Sequence, residues 1–289
     1  MKNKKDVIET IPPQTQDHQP GVETEMVPQP VSQPKLDART GRLQHKVAII
    51  TGGDSGIGKA VALDFAKEGA TVAIVYLEED ADAAATEKEI LALGGKVRLF
   101  KGDVREESFC KQVAVSTLEQ FGAIDIVVNN AAVQFEQTEP TDITAAQLRL
   151  TFETNVFAAF YLSLACLPHM QKGSSIINTT SVTAYRGSDH LIDYASTKAA
   201  LVGFTRSLSS ALAEKGIRVN AVAPGPIWTP LIPASFSEKE VAEFGKNTPM
   251  KRPGQPNEVA PCYTFLASEE ASYITGQVLH PNGGEIING

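Results

Sequence analysis

From Lys46 onward, short β-branched runs alternate with longer stretches of helical periodicity, and this alternation constrains the fold more than any other feature. Lys46–Thr51 has the character of a buried strand, and Ile57–Glu68 that of a helix ended by Gly69. The same reading predicts strand Thr71–Tyr76, helix Asp80–Leu93, strand Lys96–Lys101, helix Glu106–Phe121 and strand Ile124–Asn129. Beyond these it predicts one long helix from about Ala145 to Met170, strand Ser175–Thr180, helix Tyr194–Ala213 and strand Ile217–Ala223. A loop-and-helix insertion to about Met250, helix Asn257–Ala267 and a last strand near Gln277–His280 complete the pattern. Short strands separated by helices imply parallel β-α-β units with right-handed crossovers. The expectation is an α/β fold: one Rossmann-like, doubly wound parallel sheet of about seven strands with helices on both faces. A ligand of such a sheet lies beyond the carboxyl ends of its strands.

Residues 1–45 differ in kind. They hold Pro12, Pro13, Pro20, Pro28, Pro30 and Pro34, no aromatic residue, and charges that cancel. Such a segment buries too little apolar surface to offset its ordering entropy, so by itself it is extended or disordered. It is read as a flexible tail, or as an arm lying on its own domain or a neighbouring subunit through Val7, Ile8, Ile11, Val22, Met26 and Val27. Residues 46–289 form the single catalytic domain of this reading, and they carry the whole net charge of −8. That balance argues against nucleic acid, because phosphate contacts need clustered Lys and Arg. The longest apolar-rich run, Val156–Leu167, is too short to span a bilayer, and no apolar run follows the basic start as in a signal peptide. Cys110, Cys166 and Cys262 lie far apart; they suit a reduced, cytoplasmic protein and form no metal site.

The first strand runs into Thr51-Gly52-Gly53-Asp54-Ser55-Gly56-Ile57-Gly58. Glycines there permit a tight turn and close backbone approach to a pyrophosphate, which the positive end of the following helix attracts. No Gly-Lys-[Ser/Thr] follows, so this is not an ATP-binding loop. Further on, Tyr194 and Lys198 stand four apart on a helix and share a face. A phenol titrates near 10 and is a poor general acid or base at neutrality unless an adjacent cation favours the phenolate.

The glycine loop, Asn129-Asn130-Ala131-Ala132, Tyr194-x-x-x-Lys198 and Pro224-Gly225-Pro226 occur in the order and spacing of the short-chain dehydrogenase/reductase family, which the chain resembles over roughly residues 46–289. The proline-rich leader and Tyr76-Leu-Glu-Glu are similar to a bacterial subgroup of general-stress and aldehyde or sugar-alcohol oxidoreductases. The resemblance implies that Ser181 holds a substrate oxygen, Tyr194 gives or takes the proton, Lys198 binds the nicotinamide ribose, and Asn155 supports a water-linked proton relay.

It also implies a nicotinamide cofactor held by Gly52, Asp54, Ser55, Gly56, Ile57 and Gly58, and by Tyr76, Leu77, Asp103 and Val104 at the adenosine end. Asn130, Ala131 and Ala132 would lie along it, and Pro224, Gly225, Ile227 and Thr229 around its carboxamide. An acid at the end of the second strand selects NAD and a base selects NADP. Here that position is Tyr76, followed by Glu78-Glu79-Asp80 with no evident cation, so NAD is expected, with NADP possible.

The resemblance further implies a substrate lid at about 226–250, with Trp228 on it, and a pocket wall containing Tyr185 and His190. The polar character of that wall suits a small aldehyde, ketone or sugar alcohol. A homotetramer is expected, with the Gly276–Gly289 segment at a subunit interface. The competing functions are a 3-oxoacyl-carrier-protein reductase, which needs a basic patch for its carrier, and a dinucleotide-binding redox sensor without turnover. Enoyl reductases of this fold use a longer Tyr-to-Lys spacing.

Overall fold

The computed structural model describes residues 11–33 and 41–287. Seven parallel strands form one sheet: β1 (Val47–Thr51), β2 (Thr71–Tyr76), β3 (Lys96–Lys101), β4 (Ile126–Asn129), β5 (Ser175–Thr179), β6 (Arg218–Val222) and β7 (Val278–Leu279). Their order is β3-β2-β1-β4-β5-β6-β7, so the chain reverses its direction of travel between β1 and β4. The doubly wound architecture is as the alternation implies.

Side chains alternate across the buried strands, and each face has its own core. Ala48, Ile50, Val72, Ile74 and Val128 meet α1 (Gly56–Lys67) and α9 (Pro256–Ala267) through Phe65, Leu63 and Tyr263. Ile49, Ala73, Val75, Val127 and Ile176 meet α3 (Glu107–Phe121) and α5 (Ala158–Cys166) through Val113, Leu162 and Cys166. Each fully buried side chain of this size contributes roughly 1.5–3 kcal/mol, so the two layers fix which faces the helices cover. α2 (Asp80–Ala92) and α7 (Ile192–Leu212) complete the frame.

Two expectations are revised. The long helix is not uniform: α4 (Ala145–Phe152) passes through a π turn at Glu153–Phe157 before α5. Asn155 explains the break. Its amide donates to Val133 O and its carbonyl accepts from Val133 N, each at 2.9 Å, so the helix widens to aim this side chain at the loop after β4. Taken as one stretch, Ala145–His169 has the length and hydropathy of a membrane span, with mean hydropathy 1.4. Here Leu162 and Cys166 pack in the core with α3 and the sheet, while Leu148, Phe157, Phe160 and Leu164 stay exposed. The insertion after β6 is loop and helix as expected, with a short helix, α8 (Glu238–Glu243), which a Ser237–Glu240 capping box starts.

Secondly, residues 11–33 are not a free tail. They lie extended against their own domain, with a single 3-10 turn at Glu23–Glu25. Ile11 and Met26 are buried beside Trp228, Ile232 and Val241, and Trp228 Nε1 donates to Pro28 O at 2.8 Å. Val31 N donates to Gln255 Oε1 at 3.0 Å and accepts Asn257 N on its carbonyl at 3.1 Å. Val22 is half-buried and Val27 exposed, whereas Val7 and Ile8 lie outside the described residues.

Candidate active site

Between the diverging ends of β1 and β4 opens a cavity of about 910 Å³, within the range of cofactor and ligand sites. The glycine loop forms one end. Gly56 has φ +53°, and a Cβ on Gly58 would fall 1.8 Å from the Gly52 carbonyl oxygen, so neither position accepts a side chain. The first helical bond of α1 runs from Lys59 N to Ser55 O, which leaves the N–H groups of residues 56–58 without intrahelical partners. Glu23 of the arm takes the Gly56 N–H at 2.7 Å; those of Ile57 and Gly58 remain at the helix's positive end. A pyrophosphate fits this cradle.

Asn130 ties the loop to β4. Its side-chain amide donates to Thr51 O and Gly52 O, while Asn130 N and Ala131 N both donate to Thr51 Oγ1 at 2.9 and 3.0 Å. Thr51, which opens the glycine motif, is therefore a positioning residue, a role the motif's spacing does not show.

At the other end stand Ser181, Tyr194 and Lys198. Ser181 follows β5, and its Oγ accepts from Thr183 N and Thr183 Oγ1 at 3.1 and 3.0 Å, which turns its own proton towards the Tyr194 phenol. Lys198 Nζ donates to Thr179 O at 2.9 Å and stands 5.3 Å from the centre of the Tyr194 ring. The two titratable groups depart from the expected pairing. Burial pushes Tyr194 up to about 12, opposed by the Ser181 hydrogen bond, and burial alone draws Lys198 down to about 7. In the protein by itself, desolvation therefore outweighs any lowering of the phenol by the ammonium. Asn155 lies behind this cluster, bonded to Val133 and to Thr197 Oγ1 at 3.1 Å.

Most of the expected cofactor residues line the cavity: Gly52, Asp54, Ser55, Gly56, Ile57, Tyr76, Leu77, Asp103, Val104, Asn130, Ala131, Ala132, Pro224, Gly225, Ile227 and Thr229. Gly58 does not; it lies beneath the loop and lets α1 approach it. Two expected substrate residues are elsewhere. Tyr185 on α6 (Thr183–Arg186) packs edge-on against His280, with ring centres 4.8 Å apart. Trp228 is fully buried in the core of the lid. His190 does reach the cavity, beside Phe236 and Glu240 of the lid.

The charge at the end of β2 also differs from expectation. Lys101, the register partner of Tyr76, donates to Asp80 at 2.6 Å, and Tyr76 Oη donates to the same carboxylate at 2.9 Å. Glu79 is buried and lines the cavity, whereas the Lys101–Asp80 pair stands outside it. Arg105 holds Asp103 through both Nε and Nη2, and it too lines the cavity. Arg105 is thus a cation that the sequence expectation lacked, but Asp54, Glu79 and Asp103 share the same wall. Among the described residues, no group of three or more His, Cys, Asp or Glu is arranged to hold a metal ion.

Residues 52–285 match the family described as "Enoyl-(Acyl carrier protein) reductase". The chain is 52% identical to "General stress protein 39" of Bacillus subtilis, over 96% of this chain and 97% of that protein. It is 50% identical to "Glucose and ribitol dehydrogenase" of Daucus carota (96% and 98%), and 51% identical to "NADPH-dependent aldehyde reductase 1, chloroplastic" of Arabidopsis thaliana (95% and 98%). A crystal structure of a short-chain dehydrogenase from Burkholderia cenocepacia in complex with NADP superposes with a TM-score of 0.79 at 34% identity, covering 84% of this chain and 98% of that one.

Proposed function

The chain belongs to the short-chain dehydrogenase/reductase family of oxidoreductases, and from that premise we propose that it transfers hydride between NAD or NADP and a small aldehyde, ketone or sugar alcohol, with Tyr194 as general acid/base. One observation carries the reading. A single cavity joins an anion-binding helix terminus at one end to the Ser181, Tyr194 and Lys198 side chains at the other.

When bound, the nicotinamide supplies or accepts the hydride. The chain's own groups manage charge and protons. Ser181 Oγ, held by Thr183, donates to the carbonyl oxygen and fixes its position. Tyr194 Oη delivers the proton to that oxygen in reduction and removes it in oxidation. Lys198, anchored on Thr179 O, is close enough to raise the acidity of the phenol once its ammonium is charged. Ribose hydroxyls beside Nζ would favour that charged form. Asn155 links Val133 to Thr197 on α7 and so aligns this helix with the loop after β4.

The names of the relatives support an aldehyde or a polyol as substrate. Arg105 at the adenosine end leaves room for either dinucleotide, while Asp54 and Glu79 on the same wall favour NAD. Three free cysteines fit a reducing compartment such as the cytoplasm. The test is to screen aldehydes, ketones, sugars and polyols against both cofactors, following absorbance of the reduced nicotinamide. Turnover of at least one carbonyl–alcohol pair is expected; dinucleotide binding with no turnover of any would refute the reading.

A further inference from the structure

Gln19, Pro20 and Gly21 belong to the arm by composition, yet they line the cavity. The Gln19 amide bridges two separate segments. Its Oε1 accepts from Gln134 N at 3.1 Å, while its Nε2 donates to Gln134 O and, at 3.4 Å, to Ala234 O of the lid. Gln134 follows Val133, the residue that Asn155 grips. Nearby, Gln16 N and Thr15 Oγ1 both donate to Pro233 O, at 2.6 and 3.1 Å. The approach is so close that a Cβ on Gly21 would fall 2.3 Å from Pro230 O and 2.9 Å from Ala234 Cβ. Farther along, Met26 packs on Trp228, whose indole is bonded to Pro28 O.

We propose that the N-terminal arm is a working wall of the active site: it fastens the lid segment 228–234 to the loop after β4, and Gln19 limits the size of carbonyl compound that reaches Tyr194. A primary amide satisfies a backbone N–H and C=O together, so Gln19 pairs with Gln134 as an added strand would. The same side chain reaches the lid, so moving the lid outward breaks the bridge. A lid held in this way keeps water from the phenol and leaves a bounded space for substrate. The size limit rests on the oxidoreductase reading; the fastening of the lid does not.

Trp228 is the sole tryptophan of the chain, and it is buried at the junction of arm and lid. Its fluorescence therefore reports docking of the arm without any turnover. In full-length Gly21→Ala, emission shifts to the red and acrylamide quenching increases, because the new Cβ meets a backbone carbonyl that cannot yield. Gln19→Ala keeps the arm's close approach but removes the bridge. With propanal its KM rises about fivefold, the weight of one net hydrogen bond, while kcat and dinucleotide Kd stay within about twofold. Its kcat/KM for benzaldehyde relative to propanal rises. Unchanged emission and quenching in Gly21→Ala, or an unchanged benzaldehyde-to-propanal ratio in Gln19→Ala, overturns the proposal. Where neither aldehyde is a substrate, the same ratio is read on a large and a small ketone, sugar or polyol that is; a wild-type protein that turns over none of these refutes the size limit together with the oxidoreductase reading, and the fluorescence then decides the fastening of the lid.

Discussion

Tyr194→Phe removes one hydroxyl and keeps a buried ring, so the cavity survives without its proton donor. General acid–base catalysis contributes about 10²–10⁴-fold, and turnover is expected to fall at least about a hundredfold with dinucleotide affinity nearly unchanged. Steady-state rates paired with calorimetry check this; near-parental turnover, with chemistry rate-limiting, removes Tyr194 as the acid. Lys198→Met should lose both turnover and cofactor affinity. Burial draws the folded-state pKa of Lys198 to about 7, far below its unfolded value. The buried ammonium thus opposes folding below about pH 7, and this penalty fades as pH rises towards the unfolded value near 10.4. The Met variant should accordingly unfold at no lower temperature than the wild type at pH 7. Asp54 is the second titrating residue at the cavity. Burial pushes it up to about 7, helped by Glu79 and Asp82. It is neutral below that pH and an anion above it, so dinucleotide affinity should fall between pH 6 and pH 8, and fall more for NADP than for NAD. Titrations of both dinucleotides at the two pH values, repeated with Asp54→Asn, separate this effect from ionisation of the 2′-phosphate. If the Asn variant shows the same dependence, Asp54 is not its source.

At the scale of elements, the π turn of Glu153–Phe157 and the arm are the two departures from regular pattern. Asn155→Ala leaves the half-buried Val133 N and O without their partner, at a cost of about 1 kcal/mol. Denaturant unfolding should show that loss, with turnover also lowered because α7 carries Tyr194 and is bonded to Asn155 through Thr197. A stability change within experimental error would mean that the helix closes over the gap. No periodicity announces a π turn, since its one extra residue shifts the hydrophobic pattern by less than the pattern's own irregularity. The arm was equally hidden. Its composition says only that it cannot fold alone, and nothing in it announces the contacts that Glu23 makes. That carboxylate holds Gly56 N at 2.7 Å and Lys59 Nζ at 2.9 Å, at the root of the glycine loop.

For the whole molecule, the α4–α5 layer exposes Leu148, Phe157, Phe160 and Leu164, four large apolar side chains on one helical stretch. The homotetramer expected from the family would bury them. Leu164→Glu should therefore shift the mass measured by light scattering below that of the wild-type oligomer, whereas a monomeric wild type would end the expectation. Alternating buried runs and helices determined the parallel sheet and its ligand end, because each strand covered on both faces must be apolar throughout, and that property is local. The glycine loop and the Tyr194–Lys198 spacing were legible for the same reason: the chemistry requires those residue types at short, fixed separations. Tertiary structure alone decided the rest. It turned Tyr185 and Trp228 away from the cavity, placed Lys101 on Asp80, and laid a proline-rich arm along the lid. Each of these joins residues distant in sequence, and each depends on the competition between burial and hydrogen bonding, which no single segment contains.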